Sequence, residues 1–172
     1  MSTKELIVDL SKVDFDNVLA DIEYIRRVNP QRHEMEQLTA VVFEDLENMC
    51  CVGYKDISDD EFWVRGHMPG MPLMPGVVMV EAAAQLCCFF AQHQNLLGVE
   101  MIGFGGLEEV RFRDAVLPGQ RLILISKLEK LRPKRMIISR FQGVVGDSMV
   151  VEGIIKGIAI PVNRLSKAED QG

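Results

Sequence analysis

Apolar residues recur along the chain with two periods. Phe15, Val18, Leu19, Ile22 and Ile25 fall on one helix face, which predicts a short helix over 15–28 with Asp14 or Asp16 near its cap. Asn29-Pro30 ends it. Residues 37–48 and 50–56 read as strands, the first alternating through Thr39, Val41 and Phe43. An acidic turn over 57–61 follows, and Phe62-Trp63-Val64 predicts a short strand leading to His67. From Gly76 to about Leu97 the pattern is apolar on every side, which predicts a buried helix. Four strand-like runs close the chain, over 99–113, 120–132, 135–146 and 148–160. Glu109-Val110-Arg111-Phe112-Arg113 alternates as a half-buried strand should. In the last run Val151, Gly153, Ile155, Gly157 and Ala159 share one face, and its small residues leave room for another element. The long helix is the natural occupant.

This order of elements predicts an α+β fold, a long antiparallel sheet wrapped around one central apolar helix. At 172 residues the chain is long enough to bury a good core. It is read as one domain over 1–172, with a helical N-terminal segment over 1–30 and a core over 37–162. A helix that is apolar all round calls for cover on two sides, by its own sheet and by a second subunit.

Composition narrows the function classes. No uninterrupted apolar run approaches the ~18 residues of a membrane span, and the start of the chain has acids too early for a signal peptide. The cysteines form two adjacent pairs, Cys50-Cys51 and Cys87-Cys88, without zinc or redox spacing, so reduced, buried thiols in a cytoplasmic protein are expected. Residues 1–66 carry a net charge of −8 and residues 67–172 one of +2. Between 111 and 140 nine bases stand against Asp114 and Glu129. A solvated strand face explains that excess about as well as a partner site does. Nucleic acid is an unsuitable partner, because the chain is acidic overall and this segment has few aromatics for stacking. An acidic protein fits better.

Residues 66–85 hold the most unusual chemistry, Gly-His-Met-Pro-Gly-Met-Pro-Leu-Met-Pro-Gly-Val-Val-Met-Val-Glu-Ala-Ala-Ala-Gln. Pro69, Pro72 and Pro75 recur every third residue and stiffen the segment into an extended strap. Pro75-Gly76 suits a helix start. Glu81 then sits among valine, methionine and alanine, where an unpaired carboxylate is costly and rare without a partner or a task. Gln85, four residues on, offers a purely structural partner. A strap of this kind could also serve a peptide-recognition domain, although its flanking methionines and valines argue against exposure. His33 and His93 read as surface or structural.

This segment closely resembles the signature of the (3R)-hydroxyacyl-[acyl-carrier-protein] dehydratases of dissociated fatty-acid synthesis. Gly105-Gly106-Leu107-Glu108-Glu109-Val110-Arg111-Phe112-Arg113, followed by Val116-Leu117-Pro118-Gly119-Gln120, agrees with it too, and the resemblance runs from about residue 62 to 160. It implies the hot-dog fold, with subunits paired edge to edge into a continuous sheet and three such dimers often assembled. It implies a reaction that removes water from a 3-hydroxyacyl thioester, with no cofactor and no metal. The motif places His67 as the base at C2, Glu81 as the acid for the C3 hydroxyl, and the Gly76 amide at the developing enolate oxygen. Those roles suit the groups: imidazole exchanges protons near neutral pH, a carboxyl in a dry pocket can hold its proton, and a helix N-terminus favours negative charge. In the family the histidine and the carboxylate of one site come from different subunits. Glutamate rather than aspartate marks the branch that dehydrates without isomerising.

The resemblance also places Met68, Met74, Val77 and Phe89 along a substrate tunnel, and Arg111, Arg113, Arg132, Lys134 and Arg135 at the docking site of an acidic acyl carrier protein. Two departures stand out. Met68 replaces the aromatic that usually follows the histidine, and Asn29-Pro30-Gln31-Arg32-His33-Glu34 poorly matches the family's upstream segment. Two other readings use the same fold: an acyl thioesterase, which does not require the histidine, and a non-catalytic acyl-binding subunit.

Overall fold

The computed structural model describes residues 5–162. Six strands, β1 (Ala40–Asp45), β2 (Cys50–Asp56), β3 (Ile102–Phe112), β4 (Arg121–Arg132), β5 (Met136–Val145) and β6 (Ser148–Ala159), form one antiparallel sheet in the order β1-β2-β4-β5-β6-β3. The long helix α2 (Gly76–His93) lies against its concave face. This is the hot-dog arrangement.

The sheet has apolar cover on both faces. On the concave side Leu86, Phe89 and Phe90 of α2 pack with Leu122, Leu124, Phe141, Val151 and Ile155. On the other side Leu6, Ile7, Val8, Leu10 and Phe15 cover Val42, Val52, Tyr54, Ile125 and Val144. Gln142 pins that N-terminal strap, accepting the Ile7 N–H (2.8 Å) and donating to Glu5 O (3.2 Å). β2 is therefore buried on both faces and loses the alternation of a one-sided strand. Gly53 of β2 is one place where the helix comes close. A Cβ there would lie 2.8 Å from Ala40 O and 3.0 Å from Leu86 Cδ1.

Several local expectations are corrected. The helix expected over 15–28 is only α1 (Ile22–Val28), capped by the Asp21 side chain. Asp14 instead holds a turn through the Asp16 N–H, and Leu19 and Ala20 give their N–H groups to Val41 O in a strand-like bridge. Tertiary pairing here overrides helical spacing. Phe62-Trp63-Val64 is a turn, not a strand. The room left by Gly153 and Gly157 is filled by Phe141, Val110, Ile102 and Ile137 of the flanking strands rather than by α2.

By length and composition α2 could cross a membrane, yet most of it is buried inside the molecule. Its burial is uneven: Val77, Glu81, Ala84, Cys88 and Gln92 are the incompletely covered positions of a single stripe. Val77 is 75% exposed. Beside it runs β3, an edge strand with Phe104, Leu107 and Phe112 exposed.

Candidate active site

Residues 61–66 turn tightly, with the His67 and Gly66 N–H groups both donating to Trp63 O at 2.8 and 3.1 Å. The proline strap then folds back on the histidine. Leu73 N–H donates to His67 O (2.8 Å), and His67 Nδ1 lies 2.9 Å from Leu73 O. A carbonyl oxygen only accepts, so Nδ1 carries a proton, and Nε2 is the nitrogen left to act as a base in the neutral tautomer. Met74 N–H donates to Val116 O (2.8 Å) and ties the strap to the loop after β3.

Gly76 opens α2 behind Pro75, and its amide has no acceptor inside the helix. The Phe112 ring packs on the side of Gly76 where a Cβ would stand. A Cβ on residue 76 would lie 2.7 Å from that ring, so a glycine is needed for the ring and the helix start to meet.

Glu81 lies farther along α2, half-buried, its Oε1 accepting from Gln85 Nε2 at 2.8 Å. The same Nε2 donates to Met35 O (2.6 Å), while Gln85 Oε1 takes the Gln37 N–H (2.9 Å). Because an N–H can only donate, Gln37 fixes which way the Gln85 amide faces. One carboxylate oxygen is thereby held, and the other is left for chemistry. Gln85→Leu is expected to orphan the buried Gln37 N–H and cost about 1–3 kcal/mol. Thermal denaturation should then show a loss of about 2–4 °C for each kcal/mol, and an unchanged melting temperature would remove Gln85 as an anchor.

Two cavities meet at Glu81. The larger, about 480 Å³, is an open groove between α2 and β3 lined by Val77, Val80, Leu107, Val110 and Phe112 among others. The smaller, about 200 Å³, runs under α2 past Ala84 and Cys88 to Ile137 and Ile155 on the sheet. Gln31 also lines it, and its buried Oε1 has no hydrogen-bond partner among the described residues. His67 lines neither cavity, and no hydrogen bond joins it to Glu81 among the described residues.

The model of the FabA-like domain matches residues 29–154, most of the chain. The chain belongs to the FabA-like family. The match begins at Asn29, so the family's frame reaches well upstream of residue 62, where the motif resemblance begins. The 3-hydroxyacyl-[acyl-carrier-protein] dehydratase FabZ of Hydrogenobaculum sp. strain Y04AAS1 is 33% identical over 153 residues, covering 86% of this chain and 99% of its own. FabZ of Desulfotalea psychrophila is 38% identical over 104 residues, 59% of this chain and 68% of its own. Among solved structures, the dehydratase heterocomplex ApeI:P from Xenorhabdus doucetiae superposes with a TM-score of 0.69 at 16% identity, covering 86% of this chain and 97% of that one. The latter likeness is one of fold.

Within the FabA-like frame the expected site residues scatter. Of the four tunnel positions, Val77 alone lines the open groove. Met74 and Phe89 are packed into the core, Phe89 against Tyr24 and His93, and Met68 is exposed on the strap. Arg113, just past the end of β3, is committed to an ion pair with the largely buried Glu152. Arg111 is exposed on β3, an edge strand of the chain. Arg132, Lys134 and Arg135 are exposed at the β4–β5 turn, held to the loop that follows α2 by Lys134 N–H to Leu97 O (2.8 Å). His93 pairs with Glu44 at 3.0 Å and stacks near Tyr24, a structural role. His33 is exposed in the turn His33–Met35.

Proposed function

We infer that the protein is a hydro-lyase that removes water from (3R)-3-hydroxyacyl-[acyl-carrier-protein] to give the trans-2-enoyl thioester in fatty-acid synthesis. The observation that carries this reading is Glu81: one carboxyl on an otherwise apolar helix face, anchored by Gln85 and opening on two cavities. His67 Nε2 takes the proton from C2. The electron pair moves toward the thioester oxygen, where the Gly76 amide at the start of α2 donates a hydrogen bond. As the C3–O bond breaks, Glu81 gives its proton to the leaving hydroxyl and water departs. His67 and Glu81 then exchange the proton balance with solvent. Incubation with a 3-hydroxyacyl thioester, read by product mass, separates the readings: loss of water supports dehydration, a free acid indicates a thioesterase, and no change a binding subunit.

The site is completed by a second copy. β3 carries exposed Phe104, Leu107 and Phe112 beside the exposed Val77, an apolar edge that suits pairing with itself about a two-fold axis. Such pairing covers the open groove at Glu81 and brings a partner's strap toward it. It also sets the two α2 helices antiparallel. The β4–β5 turn of one chain, ~27 Å along α2 from its own Gly76, then lies at the same end of the pair as the partner's helix start. A cytoplasmic setting agrees with the four free cysteines.

An acidic carrier protein is steered by the exposed bases near that end, Arg132, Lys134 and Arg135, with Arg111 on β3. Reversing the charge of all three turn residues is expected to raise KM for carrier-bound substrate by roughly tenfold at low salt, and less as salt screens the field. A small thioester lacking the carrier should be turned over almost as before. Equal losses on both substrates would assign these bases to the fold instead.

A further inference from the structure

The small cavity at Glu81 does not end in solid core. Beyond it lies a second chamber of about 180 Å³, and the two share just Cys88 and Ile102 in their linings. Past Glu81 the near chamber is lined mainly by Ala84, Cys87, Ile137 and Ile155, with Gln31 and Lys156 at its polar margin. The far chamber is more heavily charged. Arg26, Arg27, Arg32 and Glu100 line it together with Asn29, whose buried Oδ1 has no hydrogen-bond partner among the described residues. Arg32 is held there by backbone oxygens of Asn29 (2.8 Å), Gln31 (2.6 Å) and Arg26 (2.7 Å).

We propose that Cys88 and Ile102 form the partition that sets the length of acyl chain the enzyme accepts, and that its substrates are of medium length. This rests on the dehydratase reading, which places C3 of the substrate at Glu81. From Glu81 to Cys88 the helix advances seven residues, about 10 Å. An extended chain spans about 3.6 Å for every three backbone bonds, so about eight or nine bonds beyond C3 bring the terminal methyl to the partition. The best substrates are therefore of about eleven or twelve carbons. A longer chain must push between the Cys88 thiol and the Ile102 side chain and then lay apolar methylenes against the guanidinium groups of Arg26, Arg27 and Arg32. Displacing water from such groups without replacing their hydrogen bonds is unfavourable. The thiol itself is chemically quiet, since burial pushes its pKa up to about 12. Its part is steric.

The test is a length series of carrier-bound substrates, 3-hydroxyoctanoyl, 3-hydroxydecanoyl and 3-hydroxyhexadecanoyl, on the wild-type protein and on Cys88→Ala and Ile102→Ala. Wild type is expected to prefer the decanoyl over the hexadecanoyl substrate by at least about tenfold in kcat/KM, the low end of what a methylene misfit costs in a pocket. Each variant should narrow that ratio by several-fold while leaving the octanoyl rate within about twofold, because the short chain never reaches the partition. The wild-type series needs no variant and stands even where one fails to fold. Equal turnover of all lengths by wild type, or an unchanged ratio in folded variants, overturns the length limit while leaving the dehydratase reading in place. Absence of water loss at every length overturns both.

Discussion

Glu81→Gln is expected to lower the dehydration rate by about 10²–10⁴-fold, the usual contribution of a positioned acid or base. The substitution keeps volume, and the new amide oxygen can still accept from Gln85 Nε2, 2.8 Å from the native carboxylate oxygen. What it loses is the transferable proton. His67→Ala is expected to cost a similar factor, since it removes Nε2, the nitrogen left to act as a base when Nδ1 bonds Leu73 O. Neither change opens a cavity in the core: His67 is exposed and Glu81 half-buried. Melting temperatures should stay close to wild type, so the loss is read as chemistry. Near-wild-type turnover by either variant would remove that residue from the mechanism.

Mixing the two inactive variants is expected to restore activity. Within one chain His67 lines neither cavity at Glu81, which is consistent with each site drawing its histidine from one subunit and its carboxylate from the other. A mixed dimer then holds one site with both native groups and one with neither. Random reassembly makes about half the dimers mixed, so recovery should approach roughly a quarter of wild type. The comparison needs subunit exchange verified by mass or tag. No recovery after proven exchange would place both groups in the site of one chain and count against the two-fold arrangement.

β4 and β5 were legible in the sequence because parts of each alternate between covered and uncovered positions. The expected runs match them within a few residues. The N-terminal segment was not legible. Apart from a 3-10 turn at Leu10–Lys12, its first apolar residues drape over the outer face of β1, β2, β4 and β5. Phe15 fell on a helical period by coincidence and packs instead on Tyr54, ring centroids 6.5 Å apart. Helical spacing cannot separate those two cases when the cover is a single pass of chain.

At the site, the proposed acid Glu81 stood out because a carboxylate among Val80, Ala82 and Ala83 needs a reason, and Gln85 was visible as its neighbour at i+4. The rest of the anchor was hidden. Gln37 and Met35 reach Gln85 from about fifty residues away in sequence. Phe104, Leu107 and Phe112 read as ordinary strand residues, and only the sheet order shows that β3 is an edge where they stay uncovered. Phe89 shows the converse. The family resemblance suggested the tunnel for it, but helical periodicity turns it away from Glu81 and into the core, while Cys88 takes the cavity position.

Running the reaction backward in deuterated water tests the central claim most directly. A trans-2-enoyl thioester on its carrier protein should gain water, with deuterium on carbon at C2 where His67 returns the proton, and the thioester should remain intact. Wild-type protein is predicted to reach this labelled 3-hydroxyacyl product, and His67→Ala to form it at least about a hundredfold more slowly. Release of free fatty acid, or recovery of unchanged enoyl thioester by folded wild-type protein, would contradict the assignment of this site to dehydration.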